Sequence, residues 1–413
     1  MIGIAEDIYD DLVRFTQQLI RIVSYTGKEG ELAELLLSAL KEIGVGEAFI
    51  DGIGNVVGVI RGEGSGPNIL MNGHLDIVPP GNIENWHGFD PFGAEIDEHG
   101  NIHGRGAADL KGGLSVQLFA MKLMKLLIDK GRSLSGNLIF SAVVHEEAAE
   151  MFGMEYLCKE TLPKKNLPIN LVLLCEPTNL DVVLGQRGKV EVVVKTFGRT
   201  AHSSTPHLGI NALAKMIPVL ENVFNVRQES HKSHPLLGES SVTVTNLICK
   251  PGTLSIIPDE CEISIDRRYM PDDSIEALLD GFRKLFETIK MNDPDFKATV
   301  DVRKNVETSY TGYSKEVLKY HPPWITDETS PFVRKIISGL KKVNQNPKIR
   351  YWKFGTDGSL TAGLMGIPTI GYSAMEEGLA HTPEEMVNCE KMKSSLEGYF
   401  SILCELYDIQ IIK

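Results

Sequence analysis

Hydrophobic positions along the chain follow two different periods. Over residues 5–23 and 30–44 apolar residues recur at helical spacing, and the polar stretch "SYTGKEG" separates them. Two amphipathic helices are expected there. "NVVGVI" and "NILMNG" are short, continuous apolar runs parted by "RGEGSGP", which reads as two buried strands and a turn. "PPGNIENWHGFDPFGAEIDEHGNIHG" follows, a loop rich in Gly, Pro and Asn. Structureless loops of this length are usually functional. "GRGAADLKGG" opens a helix over about 111–129, and "GNLIFSAVVHEE" and "INLVLLCEPTN" are apolar strands with acidic ends. Apolar strands alternating with helices imply an α/β fold, a mostly parallel sheet with helices on both faces.

Past residue 184 the pattern changes. "KVEVVVKTFG" is a strand, 209–227 a helix, "SSVTVTNLI" and "CEISIDRRY" strands, 273–290 a helix and "FKATVDV" a strand. That order is βαββαβ, a ferredoxin-like unit. It is expected over 186–301, inserted into a larger domain made of 1–185 and 302–413. "MGIPTIGYS" is a buried strand of the larger domain. A length of 413 residues suits two or three domains.

Composition narrows the function classes. The formal net charge of -13 argues against a nucleic-acid or anionic-membrane partner. No apolar run reaches the length of a membrane span. The opening "MIGIAEDIYDDLVRFTQQLI" has acids where a signal peptide needs bases. Six cysteines without a CxxC read as free thiols of a reducing compartment, the cytoplasm. "GEGSGP" and "GAADLKGG" match neither GxGxxG nor GxxxxGK[ST], so the spacing excludes a nucleotide-dependent enzyme.

"NGHLDIVPPG" puts His74 two residues before Asp76, just past an apolar run. Alone, it is either a metal site or a polar turn. Other segments repeat the feature: Glu146 and Glu147 end one strand, Glu176 ends another, and Asp109 precedes a helix. Each acid taken singly could be a turn residue or a cap, and Asp109 a favourable helix N-terminal charge. In open α/β sheets, ligands bind beyond the carboxyl ends of the strands. Carboxylates gathered there repel one another unless a cation offsets them. His381, in "GLAHTPEE", offers a second imidazole. Two histidines, a shared aspartate and two glutamates suit a pair of zinc ions about 3.5–4 Å apart. His145 reads as a strand-end residue, not a ligand. His87, His99 and His103 read as solvated loop residues, and His231 and His234 as a helix end.

The motifs "NGHLDIVP", "GRGAADLKGG", "HEEAAE", "CEPT", "RTAHSSTPHLGINA", "IIPDECEISIDRR", "GTDG" and "LAHTPEE" span nearly the whole chain. Together they resemble the M20 family of dinuclear zinc hydrolases, which includes acetylornithine deacetylase and succinyl-diaminopimelate desuccinylase. The resemblance implies two Zn2+ per chain, with Co2+ or Mn2+ as substitutes. His74 and Glu176 would hold one ion, His381 and Glu147 the other, with Asp109 bridging. Glu146 resembles the general base, and Asp76 the carboxylate that orients His74. The inserted unit resembles a lid that also forms a homodimer. His202 matches a lid histidine that in several relatives reaches the partner's active site; action within its own chain is the alternative.

The substrate implied is a small N-acyl amino acid that carries a carboxylate. A dipeptidase or carboxypeptidase of the same family would use the same residues. Arg267 is the candidate to hold the carboxylate through a bidentate fork, with Arg268 facing the other way along the strand. An ion pair of Arg267 with Asp266 or Glu262 is the structural alternative. Ser255 stands where some relatives have asparagine, with a shorter reach toward substrate. Gly355, Thr356 and Gly358 form either a backbone cradle or a strand-to-helix turn capped by Asp357 or Ser359.

Overall fold

The computed structural model describes residues 4–148, 151–229 and 233–410. The amino-terminal helices are Glu6–Arg21 and Gly30–Glu42. Each carries an acid in its first turn and a base in its last, which complements the helix dipole. Leu12, Leu19 and Ile20 of the first, and Leu32, Leu36 and Leu40 of the second, are fully buried.

These helices pack on a nine-stranded sheet. At its centre Ile69–His74 lies between Asn137–Val143 and Leu171–Leu174, parallel to both. Thr369–Tyr372 runs parallel to Leu171–Leu174. Antiparallel strands flank this core, Val56–Arg61 on one side and Val182–Gln186 on the other. Successive residues of the central strands enter different cores: Ile69, Met71, Leu138 and Phe140 one, Leu70, Ile139, Val172 and Leu174 the other. Both faces are therefore covered, which is why these strands read as unbroken apolar runs. Helices Gly112–Asp129 and Cys389–Leu406 cover the same face as the amino-terminal pair. The short edge strand Glu47–Ile50 carries no apolar alternation in sequence, and all four of its residues are half-buried.

The second sheet has Ser241–Lys250, Glu260–Tyr269, Gly188–Phe197 and Ala298–Val302 in that spatial order, all antiparallel. Helices Ala212–Glu229 and Ile275–Asn292 cover one face, where Val190, Val192, Val194, Ile263 and Ile265 are buried. Arg303 bridges Glu191, Glu262 and Ser264 on the other face. After Val302 the hairpin Lys304–Thr308 with Ser314–Leu318 follows, and Tyr320–His321 then pairs with Gly188–Phe197. Pairing with the small sheet thus extends to His321.

Part of the long loop is ordered by pairing: Asn101–His103 is antiparallel to Met386–Asn388. His234 is not at a helix end. It forms a tight hairpin, Ser233–His234 with Gly238–Glu239, and its Nδ1 accepts from the Leu236 and Leu237 amides. His231 lies outside the described residues.

Candidate metal centre

Three neighbouring parallel strands end together. His74 closes Ile69–His74, Glu146 and Glu147 follow Asn137–Val143, and Glu176 follows Leu171–Leu174. Asp109 comes from the irregular turn Ala107–Lys111 ahead of helix Gly112–Asp129. His381 stands on the loop after Thr369–Tyr372, at φ 64°. Gly73 permits the convergence. A Cβ there would lie 2.6 Å from Cys175 Sγ and 2.7 and 2.8 Å from Leu110 and Leu114, so a larger residue would push the Asp109 turn off the strand.

The Asp109 carboxylate faces two imidazoles. Oδ1 is 3.1 Å from His74 Nε2, and Oδ2 is 3.2 Å from His381 Nε2. Glu147 Oε1 is 3.0 Å from His381 Nε2, and Glu176 Oε1 is 3.8 Å from His74 Nε2. His74, Asp109 and Glu147 form one group whose ligand atoms lie within 4.8 Å of one another; His74, Glu146 and Glu176 form a second. The His74 side chain is 1% exposed and that of His381 49% exposed, so the cluster opens on the His381 side.

Charge is the defining property of the cluster. Burial, then the charge of Glu176, pushes the Glu146 pKa well up. Burial and the charge of Asp109 do the same to Glu176 and, less strongly, to Glu147. Burial opposes charge on His74, but its hydrogen bond with Asp109 and the charges of Glu176 and Glu146 outweigh this and hold its pKa well above the usual value. Hydrogen bonds with Asp109 and Glu147 raise His381 to about 10. Burial would raise the Asp109 pKa, yet the bonds to His381 and His74 bring it down. The carboxylates and imidazoles shift one another in these directions because the acids outnumber the imidazoles among them. A set of imidazole nitrogens and carboxylate oxygens without a thiolate fits a pair of divalent metal ions.

Supporting contacts hold the cluster in place. His74 Nδ1 donates to the Asp76 carbonyl oxygen at 2.9 Å, with the Asp76 carboxylate at 3.7 Å. That bond assigns the proton to Nδ1 and leaves Nε2 free to ligate. The expected orienting of His74 by Asp76 thus runs mainly through the carbonyl. The carboxylate instead accepts from the amides of Glu146 at 3.0 Å and Glu147 at 3.1 Å, and from the Thr26 hydroxyl at 2.8 Å. His145 is buried at φ 57° beside this turn and contributes no ligand atom to either group.

Sequence reasoning missed Glu385. It is buried, pairs with Arg105, and its Oε1 accepts from the amides of Gly106, Ala108 and Asp109, each at 3.0 Å. It shapes the turn that presents Asp109. The adjacent glutamates of "HTPEE" were a usable signal, since Glu384 is exposed and its neighbour is not.

A pocket of about 430 Å3 opens over the cluster. Lys189, Arg268, His321, Phe354, Gly355 and Glu377 form its outer wall. Arg267 is absent from this wall, which corrects its expected place. Cys261, Ile263 and Ile265 point under the helices of the small sheet, and strand alternation sends Arg267 to that side. Arg268 shares the face of Glu262, Ser264 and Asp266, and the Asp266 carboxylate holds its Nε at 2.9 Å and its Nη2 at 3.2 Å. The apolar alternation of "CEISIDRRY" carried this information.

Of the proposed cradle, Gly355 lines the pocket, packed against His321. Thr356 is buried, donates to Gln186 Oε1 at 2.6 Å and accepts from the Gly358 amide at 3.1 Å. A Cβ on Gly358 would meet Trp324 at 2.6 Å. Thr356 and Gly358 therefore build the turn and do not line the pocket. His202 and Ser255 are exposed and lie close together on the small domain, where His202 bridges to Ile256. Neither lines the pocket of its own chain.

The sequence profile of Peptidase family M20/M25/M40 matches residues 70–405. The uncharacterized protein YgeY of Escherichia coli is 30% identical over 401 residues, covering 95% of each chain. A succinyl-diaminopimelate desuccinylase of Orientia tsutsugamushi is 27% identical over 407 residues, again covering 95% of each. Among solved structures, aminopeptidase PepT of Bacillus cereus superposes with a TM-score of 0.72 at 21% identity, over 96% of this chain and 98% of that one.

Proposed function

Because this chain belongs to Peptidase family M20/M25/M40, we propose that it hydrolyses the amide bond of a small N-acyl amino acid with the help of two zinc ions. Asp109 carries this proposal, with one oxygen toward His74 and the other toward His381. His74 and Glu176 would hold one ion, His381 and Glu147 the second, and Asp109 both. Bound there, the ions supply Lewis acidity, polarising an amide carbonyl and making water acidic near neutral pH. Glu146 takes the proton of the attacking water and passes it to the leaving nitrogen. Arg268, held by Asp266 at Nε and Nη2, receives the substrate's carboxylate on the remaining N–H groups of Nη1 and Nη2. Gly355 leaves its backbone open to the pocket.

We place the active protein in a homodimer formed through the small domain. Leu247 and Ile248 on the edge strand Ser241–Lys250 are 43% and 49% exposed, and Leu254 beside Ser255 is 98% exposed. Leu213, Ile217 and Phe224 add an exposed stripe on the neighbouring helix. Such an edge calls for pairing, and a twofold axis is the usual solution. The partner subunit's His202 would then complete the site and stabilise the oxyanion. Six free cysteines suit the cytoplasm. Among the described residues no helix is long and apolar enough to cross a membrane.

A panel of N-acetyl and N-succinyl amino acids and dipeptides, assayed with added zinc, cobalt or manganese, tests the activity. Release of the acyl group from N-acyl amino acids supports the deacylase. Cleavage of dipeptides alone would move the protein to the peptidases of the family, and no metal-dependent turnover of any member would refute the proposal.

A further inference from the structure

Arg267 lies away from the catalytic pocket, and its surroundings are apolar apart from Asn222. Arg267 is half-buried, its Nε is buried without a hydrogen-bond partner among the described residues, and Asp273 is the carboxylate that acts on it through space. The side chain lines a cavity of about 270 Å3 on the helix-covered side of the small sheet. Val192, Val242 and Ile265 from the strands and Leu278 and Phe282 from helix Ile275–Asn292 line the same space. This cavity and the metal pocket share no lining residue. Burial lowers the Arg267 pKa, but a guanidinium stays charged in proteins. A guanidinium Nε buried in a largely apolar cleft, with no ion pair to Arg267 among the described residues, is costly. An anion that brought its own apolar surface would relieve that cost.

We propose that this cavity binds a small carboxylate with an apolar tail, Arg267 holding the carboxylate and the valine, leucine and phenylalanine side chains covering the tail. At roughly 30 Å3 per water-sized group, the space admits a tail of about eight carbons. A short carboxylate would lose the apolar contacts, and a neutral alcohol would lose the ion pair, so neither alone suffices.

Calorimetric titration of the intact protein with sodium octanoate tests this, with acetate and octan-1-ol as comparisons. Octanoate is expected to bind with a Kd of about 1 mM or tighter, and the other two roughly tenfold more weakly. Arg267→Leu should weaken octanoate binding by roughly tenfold or more. Gly281 also lines the cavity, and a Cβ there meets nothing within 4 Å. Gly281→Leu should therefore fill the space and abolish octanoate binding without lowering the melting temperature, since leucine favours a helix interior over glycine. Arg268→Ala should keep octanoate binding, which separates this cavity from the catalytic pocket. The proposal is overturned if octanoate does not bind, if acetate binds as well as octanoate, if binding survives both Arg267→Leu and Gly281→Leu, or if it is lost in Arg268→Ala.

Discussion

The carboxylate of Asp76 holds the backbone of Glu146: its Oδ1 accepts the Glu146 amide at 3.0 Å, while Oδ2 accepts the Glu147 amide at 3.1 Å. One side chain thus sets the turn from which a proposed base and a proposed ligand diverge. Asp76→Asn would bring an amide donor against one of these N–H groups and shift the turn. A fall in kcat of about 10–100-fold is expected, the usual cost of losing such support. An unchanged kcat in steady-state assays would show that the turn stands without this carboxylate.

Glu146→Gln nearly keeps size and shape but removes the proton acceptor. Turnover should drop by about a hundredfold or more, the range for a general base, while metal content and melting temperature hold. Near-normal turnover would hand the proton to another group, and loss of bound metal would make Glu146 a ligand.

Metal analysis of the zinc-reconstituted protein should find about two ions per chain, and a chelator should remove both metal and activity. Because the ions bind the folded chain, zinc should also raise the melting temperature. Protein that holds no metal after reconstitution would defeat the metalloenzyme.

Subunit exchange tests the shared site. Glu146→Gln and His202→Ala chains, each inactive alone, are mixed under exchanging conditions. Random pairing gives mixed dimers with one intact site, so about a quarter of wild-type activity should return. No recovery despite proven exchange, or a monomer by ultracentrifugation, would confine His202 to its own chain.

Glu29 sets a pH dependence of stability. It is fully buried, its Oε2 has no hydrogen-bond partner among the described residues, and burial followed by the charge of Asp76 raises its pKa from 4.5 to about 7. The folded chain therefore binds this proton more tightly than the unfolded one. The resulting stability is fully present below pH 4.5 and is lost as pH rises through about 7, up to about 3 kcal/mol. Glu29→Gln should raise the melting temperature at pH 8.5 and leave it nearly unchanged at pH 4.5. Equal shifts at both pH values would remove Glu29 as the cause.

Several features were legible along the chain because local pattern alone encodes them. Helices Glu6–Arg21 and Gly112–Asp129, the apolar strand Ile69–His74 and the βαββαβ order of the small domain follow from hydrophobic period and turn residues. His74, Asp109, Glu147 and Glu176 stood out because each sits where an apolar strand ends or a helix begins, and His381 because it follows an apolar strand by a short loop. Strand parity was equally present in Cys261, Ile263 and Ile265, and it put Arg268, not Arg267, toward the metal pocket.

By itself the sequence determined which residues could ligate a metal, because imidazole and carboxylate chemistry belongs to the side chain. Tertiary structure decided which of them meet. The parallel pairing of Ile69–His74 with its two neighbours brings His74, Glu147 and Glu176 to one place at the strand ends, and the turn Ala107–Lys111 sets Asp109, 35 residues from His74, against them. The same holds for Glu385, which acts 276 residues away on the Asp109 amide, and for Thr356 and Gly358, which were drawn into the core by Gln186 and Trp324. A hydrogen bond or a packed ring between distant segments leaves no period in the chain, so its partners become known only when the sheet has aligned them.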